Sequence, residues 1–133
     1  MIKDLKLGDK ALLSRTFTEE DVMQFASLST DTCRLHLDKG FAETTIFGQR
    51  VVHGMLVASL FSGLIGTKLP GELSIYLGQS LSFKEPVFIG DRVTASVEII
   101  KIREDKPIVT LRTNCVNDKG LVVIEGEAVV KVM

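Results

Sequence analysis

The sequence predicts an α+β domain in which helices pack on one face of an antiparallel sheet, curved around a single apolar helix. Two observations predict it. Helical signals fill the first half of the chain and alternating, β-branched segments fill the second. Between them, HGMLVASLFSGLIGTKLPG is apolar around nearly its whole helical circumference, as expected of a helix buried on most sides. At 133 residues, one domain spanning 1–133 with one hydrophobic core is expected.

A first strand is expected near Ala11 to Phe17. Thr18, followed by Glu19, Glu20 and Asp21, supplies a capping hydroxyl and acids where the helix dipole favours them, with Val22, Phe25, Ala26 and Leu28 marking the apolar face. The polar stretch STDTCRLHL, from Ser29 to Leu37, has no period and is expected to be a loop. Asp38 is placed to cap a short helix through Phe41 and Ala42, a second loop TTIFGQRVV leads to the central helix, and Leu69-Pro70-Gly71 ends it. Strand-like runs follow at Ser74 to Val87, Arg92 to Arg103, Ile108 to Asn117 and Leu121 to Val132, with Val93, Ala95, Val97 and Ile99 alternating. Gly90-Asp91, Asp105-Lys106-Pro107 and Asn117-Asp118-Lys119-Gly120 are the turns between them.

Sixteen basic and 17 acidic residues give a formal net charge of -1, too small a field to recruit nucleic acid or an anionic membrane. Cys33 and Cys115 lack metal-site or redox-motif spacing and are expected to be free thiols in a reducing, cytoplasmic compartment. The N-terminus carries no secretory signal pattern, and the apolar window Met55 to Gly66 is too short to span a bilayer.

The two histidines, His36 and His53, lie outside any periodic apolar face. Asp31 and His36 are close enough in a polar loop for both side chains to meet one water molecule, an arrangement suited to general acid/base hydration of an activated double bond. On the residues alone, the alternative stands equally: Asp31 capping a turn and His36 hydrogen-bonded within the fold. Gly54 opens the central helix, where a free amide and the absence of a Cβ suit a carbonyl oxygen, or simply a tight helix start. His53 is expected to fix that start, and Ser59 and Ser62 to bond back to helix carbonyls, with Ser62 the candidate to touch Asp31 or substrate. No GxSxG, GxxxxGK[ST] or HExxH pattern is present, and nothing marks Cys33 as an activated nucleophile.

The segment FASLSTDTCRLHLD, from Phe25 to Asp38, resembles the hydratase motif of (R)-specific enoyl-CoA hydratases, the MaoC-like branch of the hot-dog superfamily. RVVHGMLVASLFSGLIGTKLPG resembles that family's central helix, and SIYLGQSLSFKEPVFIGDRV its following strand and turn, so the similarity covers nearly the whole chain. It is closest to the single-domain enzymes that supply polyhydroxyalkanoate monomers. The resemblance implies a hot-dog fold and reversible syn hydration of trans-2-enoyl-CoA to (R)-3-hydroxyacyl-CoA. It implies Asp31 and His36 as the catalytic pair, the Gly54 amide as donor to the thioester carbonyl and Ser62 as a substrate-side residue. It further implies no metal or redox cofactor, and a homodimer joined edge to edge. Cys33 and Arg34 depart from the pattern, standing where the family carries asparagine and proline. A thiol is the poorer hydrogen-bond partner, and arginine does not stiffen a loop as proline does. Two alternatives remain: a hot-dog thioesterase or acyl-carrier dehydratase, whose commoner forms carry an acid on the central helix that Met55 to Thr67 lacks, and a non-catalytic acyl-thioester-binding domain.

Overall fold

A computed structural model describes residues 2–133. Its sheet runs β1 (Lys10–Thr16), β4 (Arg92–Ile102), β5 (Ile108–Asn117), β6 (Val122–Val132), β2 (Ser74–Gln79), all antiparallel, with the two-residue β3 (Ser82–Phe83) also pairing with β6. Among the described residues a 3-10 turn (Ile2–Asp4) and four α-helices complete it: α1 (Glu19–Ser29), α2 (Arg34–Leu37), α3 (Lys39–Glu43) and α4 (Gly54–Thr67). α4 packs against β1, β2, β4 and β5, so the sheet curves around it as expected for a hot-dog arrangement.

The alternation in β4 sets the core. Val93, Ala95, Val97 and Ile99 all face inward and are essentially inaccessible, and Leu111, Cys115, Ala128 and Val130 of the neighbouring strands extend the same layer. Phe61, Leu64 and Ile65 of α4 fill the concave side, each fully buried side chain contributing about 1.5–3 kcal/mol of transfer free energy. Burial also pushes the Cys115 thiol up to about 12, making it an inert core residue.

Local chemistry explains the helix boundaries. Thr18 Oγ1 accepts from the Asp21 amide at 3.2 Å while Asp21 Oδ2 accepts from the Thr18 amide at 2.9 Å, a reciprocal capping box. Asp38 Oδ1 accepts from the Phe41 amide at 3.0 Å and starts α3. At Gly90 (φ 93°) and Gly120 (φ 78°) the turns adopt the left-handed backbone that glycine takes without strain.

Four expectations need correction. Leu28 is 85% exposed, because six residues beyond Val22 the helix has turned it away from the face made by Val22 and Ala26. The stretch expected as a loop from Ser29 to Leu37 ends in one helical turn, α2, closed by the Asp38 amide on the Arg34 carbonyl. The run from Ser74 to Val87 is not one strand: a bulge at Tyr76/Gly78 and a crossing at Ser80 break it, and Pro86 lacks a ladder donor. Finally, α4 is buried on one side only within this chain, with Met55, Ser59, Ser62, Gly63 and Thr67 exposed along its other face.

The Ser80 crossing constrains β6. A Cβ added at Gly126 would lie 1.9 Å from the Ser80 carbonyl oxygen, a backbone atom that cannot swing away. Gly126→Ala is therefore expected to destabilise the fold by about 3 kcal/mol, the upper end for overpacking, read as a lower denaturation midpoint in urea. An unchanged midpoint would show that the crossing is not tight.

Candidate active site

Three short segments meet beside the N-terminus of α4. The first is the turn after α1. Thr30 sits at its C-cap with φ 65°, an unusual backbone for a β-branched residue, and the chain reverses there to present Asp31. Ser29 Oγ donates to the Phe25 carbonyl and accepts the Asp31 amide at 3.1 Å. Asp31 Oδ1 then accepts the Cys33 amide at 3.2 Å, an Asx turn. Its other oxygen, Oδ2, lies 3.9 Å from His36 Nε2.

The second segment is α2, which carries His36. Its Nδ1 is 2.6 Å from the Val51 carbonyl oxygen. A carbonyl only accepts, so Nδ1 bears the proton and neutral His36 presents an unprotonated Nε2 toward Asp31. The 3.9 Å gap is too long for a direct hydrogen bond, and two hydrogen bonds of ordinary length to one shared water oxygen span it. Arg34, in the proline position of the pattern, lies 4.4 Å over the Phe41 ring and pairs with Asp38 Oδ2 at 3.4 Å. These contacts link α2 to α3 at the surface.

The third segment, Arg50 to His53, ties the other two together. Arg50 Nε donates to the His36 carbonyl at 2.8 Å, and its Nη1 pairs with Glu19 Oε1 at 2.7 Å. Val51 donates to the Leu35 carbonyl at 3.3 Å and accepts from His36, while His53 Nε2 reaches the Asp31 carbonyl at 2.9 Å. The segment is itself anchored by the Val52 amide on the Val87 carbonyl at 2.7 Å. Nothing in the residue spacing marks Arg50; only its adjacency to His53 and Gly54 is a signal.

Gly54 follows directly, first in α4, where a backbone N–H has no acceptor within its own helix and the dipole is positive. The Phe83 ring leans on it so closely that a Cβ there would lie 2.6 Å from Phe83 Cε1. Asp31, His36, His53 and Gly54 border one cavity of about 640 Å³, whose apolar wall includes Phe25, Val57, Val87 and Ile124. Lys84 and Glu85 also border it, and neither had been singled out from sequence. Ser62 does not: it is exposed, two turns further along α4. Ser59 bonds back to the Leu56 carbonyl at 2.5 Å, as expected.

Burial is the main cause holding the His53 pKa below its ordinary 6.5, opposed by its bond to Asp31 and reinforced by nearby His36. The unfolded chain therefore takes up this proton more readily, so His53's contribution to stability is full above about pH 6.5 and falls as the pH drops below it. Asp31, His36 and His53 each offer one possible ligand atom within a 4.8 Å group. Yet the two imidazoles stack, with centroids 3.8 Å apart and planes at 25°. In-plane lone pairs of stacked rings run side by side instead of converging on one ion, so the arrangement suits proton handling better than metal ligation.

Residues 6–119 match the family described as MaoC like domain. The chain is similar to an (R)-specific enoyl-CoA hydratase of Aeromonas caviae, 58% identical over 129 residues, which covers 97% of this chain and 96% of that one. It is also similar to an (R)-specific enoyl-CoA hydratase of Rhodospirillum rubrum, 48% identical over 98% of this chain and 90% of that one. Among solved structures, an (R)-hydratase from A. caviae involved in PHA biosynthesis superposes with a TM-score of 0.97 at 57% identity, over 98% of this chain and 99% of that one.

Proposed function

The chain belongs to the MaoC-like domain family, and from that premise we propose that it is a single-domain (R)-specific enoyl-CoA hydratase. The observation that carries the proposal is the convergence of Asp31 Oδ2, His36 Nε2 and the start of α4 on one largely apolar cavity. In this mechanism Asp31 and His36 hold one water between them. As its oxygen bonds to C3 of the enoyl thioester, an O–H bond breaks and the proton passes to the pair. The C2–C3 electron pair moves toward the thioester carbonyl, whose developing negative oxygen faces the Gly54 N–H, a donor worth about 2.7–4 kcal/mol in comparable oxyanion sites. The held proton then goes to C2 from the same side, giving syn addition, and the reverse steps dehydrate.

No metal or redox group takes part in this scheme. The acyl chain occupies the apolar wall of the cavity. The product, an (R)-3-hydroxyacyl-CoA, suits polyhydroxyalkanoate monomer supply and fatty acid metabolism, in the cytoplasm. No helix among the described residues is long and apolar enough to cross a membrane. A homodimer joined along β2 is part of the same proposal: this edge strand exposes Ile75, Tyr76 and Leu77 beside the uncovered face of α4 that carries Ser62. In such a dimer Ser62 faces the partner.

The test is loss of the enoyl-thioester absorbance with crotonyl-CoA and longer trans-2-enoyl-CoAs. Hydration without release of free CoA is the expected result. Release of CoA without hydration would establish a thioesterase instead, and binding of acyl-CoA without turnover at any chain length would establish a binding domain.

A further inference from the structure

His53 stands at the N-cap of α4, where the sequence suggests that it fixes the helix start, yet its side chain makes no capping hydrogen bond. A residue needed only to begin a helix is usually Ser, Thr, Asp or Asn. His53 is instead 2% exposed and turned toward the acid/base pair. Its Nε2 donates to the Asp31 carbonyl at 2.9 Å, which leaves Nδ1 as a buried acceptor without a partner among the described residues. An unpaired buried nitrogen is costly, and such a cost is tolerated where a residue serves function before stability. Its ring stacks on His36 at 3.8 Å between centroids and meets the Phe25 ring edge-on at 4.9 Å.

We propose that His53 is a positioning residue for hydration: its Nε2–H holds the Asp31 backbone while its ring face sets the rotation of the His36 imidazole. One rigid group thus fixes both partners, so that Asp31 Oδ2 and His36 Nε2 stay directed at a single point in the cavity. The groups facing it are Asp31 from the turn, His36 from α2 and Phe25 from α1. Burial holds the His53 pKa below its ordinary value. Displacing a reacting group by about 1 Å costs on the order of 10²-fold in rate, which sets the size of the expected effect. This inference rests on the assignment of Asp31 and His36 as the proton-handling pair.

Three variants divide the two contacts: His53→Gln keeps an N–H donor without the ring, His53→Phe keeps a ring without the donor, and His53→Leu keeps neither. With crotonyl-CoA, His53→Leu is expected to lose on the order of 10²-fold in kcat with KM changed by less than about twofold, and the other two to fall between it and the parent. In an Asp31→Asn background the His53→Leu change is expected to cost far less, because the pair it positions has already lost one of its two members. A kcat within about twofold of the parent in all folded variants would overturn the proposal, as would a loss confined to KM or equal losses in both backgrounds. If His53→Leu fails to fold, the ordering of kcat for the Gln and Phe variants decides the matter, and parent-like rates in both overturn it. If Asp31→Asn and His36→Gln themselves keep full kcat, the pair assignment fails and this inference with it. If those two collapse while the His53 variants do not, only the positioning role is lost.

Discussion

Asp31→Asn and His36→Gln are each expected to lower kcat for crotonyl-CoA hydration by roughly 10²- to 10⁴-fold, the range supplied by positioned acid/base groups. Asparagine can still accept the Cys33 amide through Oδ1, so the turn survives, but its NH₂ donates where Oδ2 accepted and cannot take up a proton. Glutamine at 36 likewise offers no base of suitable pKa. Because Asp31 is half exposed, its replacement is expected to change stability by no more than about 0.5 kcal/mol, separating a chemical loss from a folding loss. The double variant should be scarcely slower than the slower single one, since the two groups act on one water. Steady-state kinetics with urea unfolding of the same preparations checks this, and a full product of the two losses would mean that the groups act in separate steps.

Gly54→Ala is expected to reduce kcat/KM by on the order of 10²-fold, comparable to deleting an oxyanion donor, although the donor amide remains. The methyl would stand between the amide and an incoming carbonyl. It would also lie 2.6 and 2.7 Å from two Phe83 ring carbons, but Phe83 is 52% exposed and can swing away. The folded state should therefore persist. Gly54→Ala combined with Phe83→Ala separates the two obstructions: relief of the ring contact restores packing without restoring rate. Recovery of rate in the double variant would show that Phe83, and not substrate approach, is why glycine occupies this position.

How much of this was legible in advance depended on whether the information is local. The capping box at Thr18, the cap at Asp38 and the two-residue alternation in β4 arise between near neighbours, and each reads directly from the residues. The pairing of Asp31 with His36 was weaker, since five residues of irregular chain can place two side chains together or apart. Family resemblance supplied that pairing, and the Asx turn and α2 are its physical means. Leu28 is exposed although apolar, because hydrophobicity alone does not reveal when a helix has rotated away from its core. Cys33 and Arg34 read as a defect in the motif. In the fold, Arg34 finds Phe41 and Asp38, and the Cys33 backbone amide still serves the Asp31 carboxylate.

The sequence by itself determined the α+β class, the apolar central helix and the long strands β4, β5 and β6, because periodicity, capping and turn chemistry act over a few residues. Tertiary structure alone decided that Arg50, Val51 and His53 reach Asp31 and His36 across 14 to 22 positions of chain, that Phe83 closes on Gly54, and that Ser62 lies outside the cavity lining. The physical reason is that these are side chain to backbone contacts between segments brought together by sheet curvature around α4. A carbonyl accepts from whichever donor the fold delivers, so no residue pattern announces the contact.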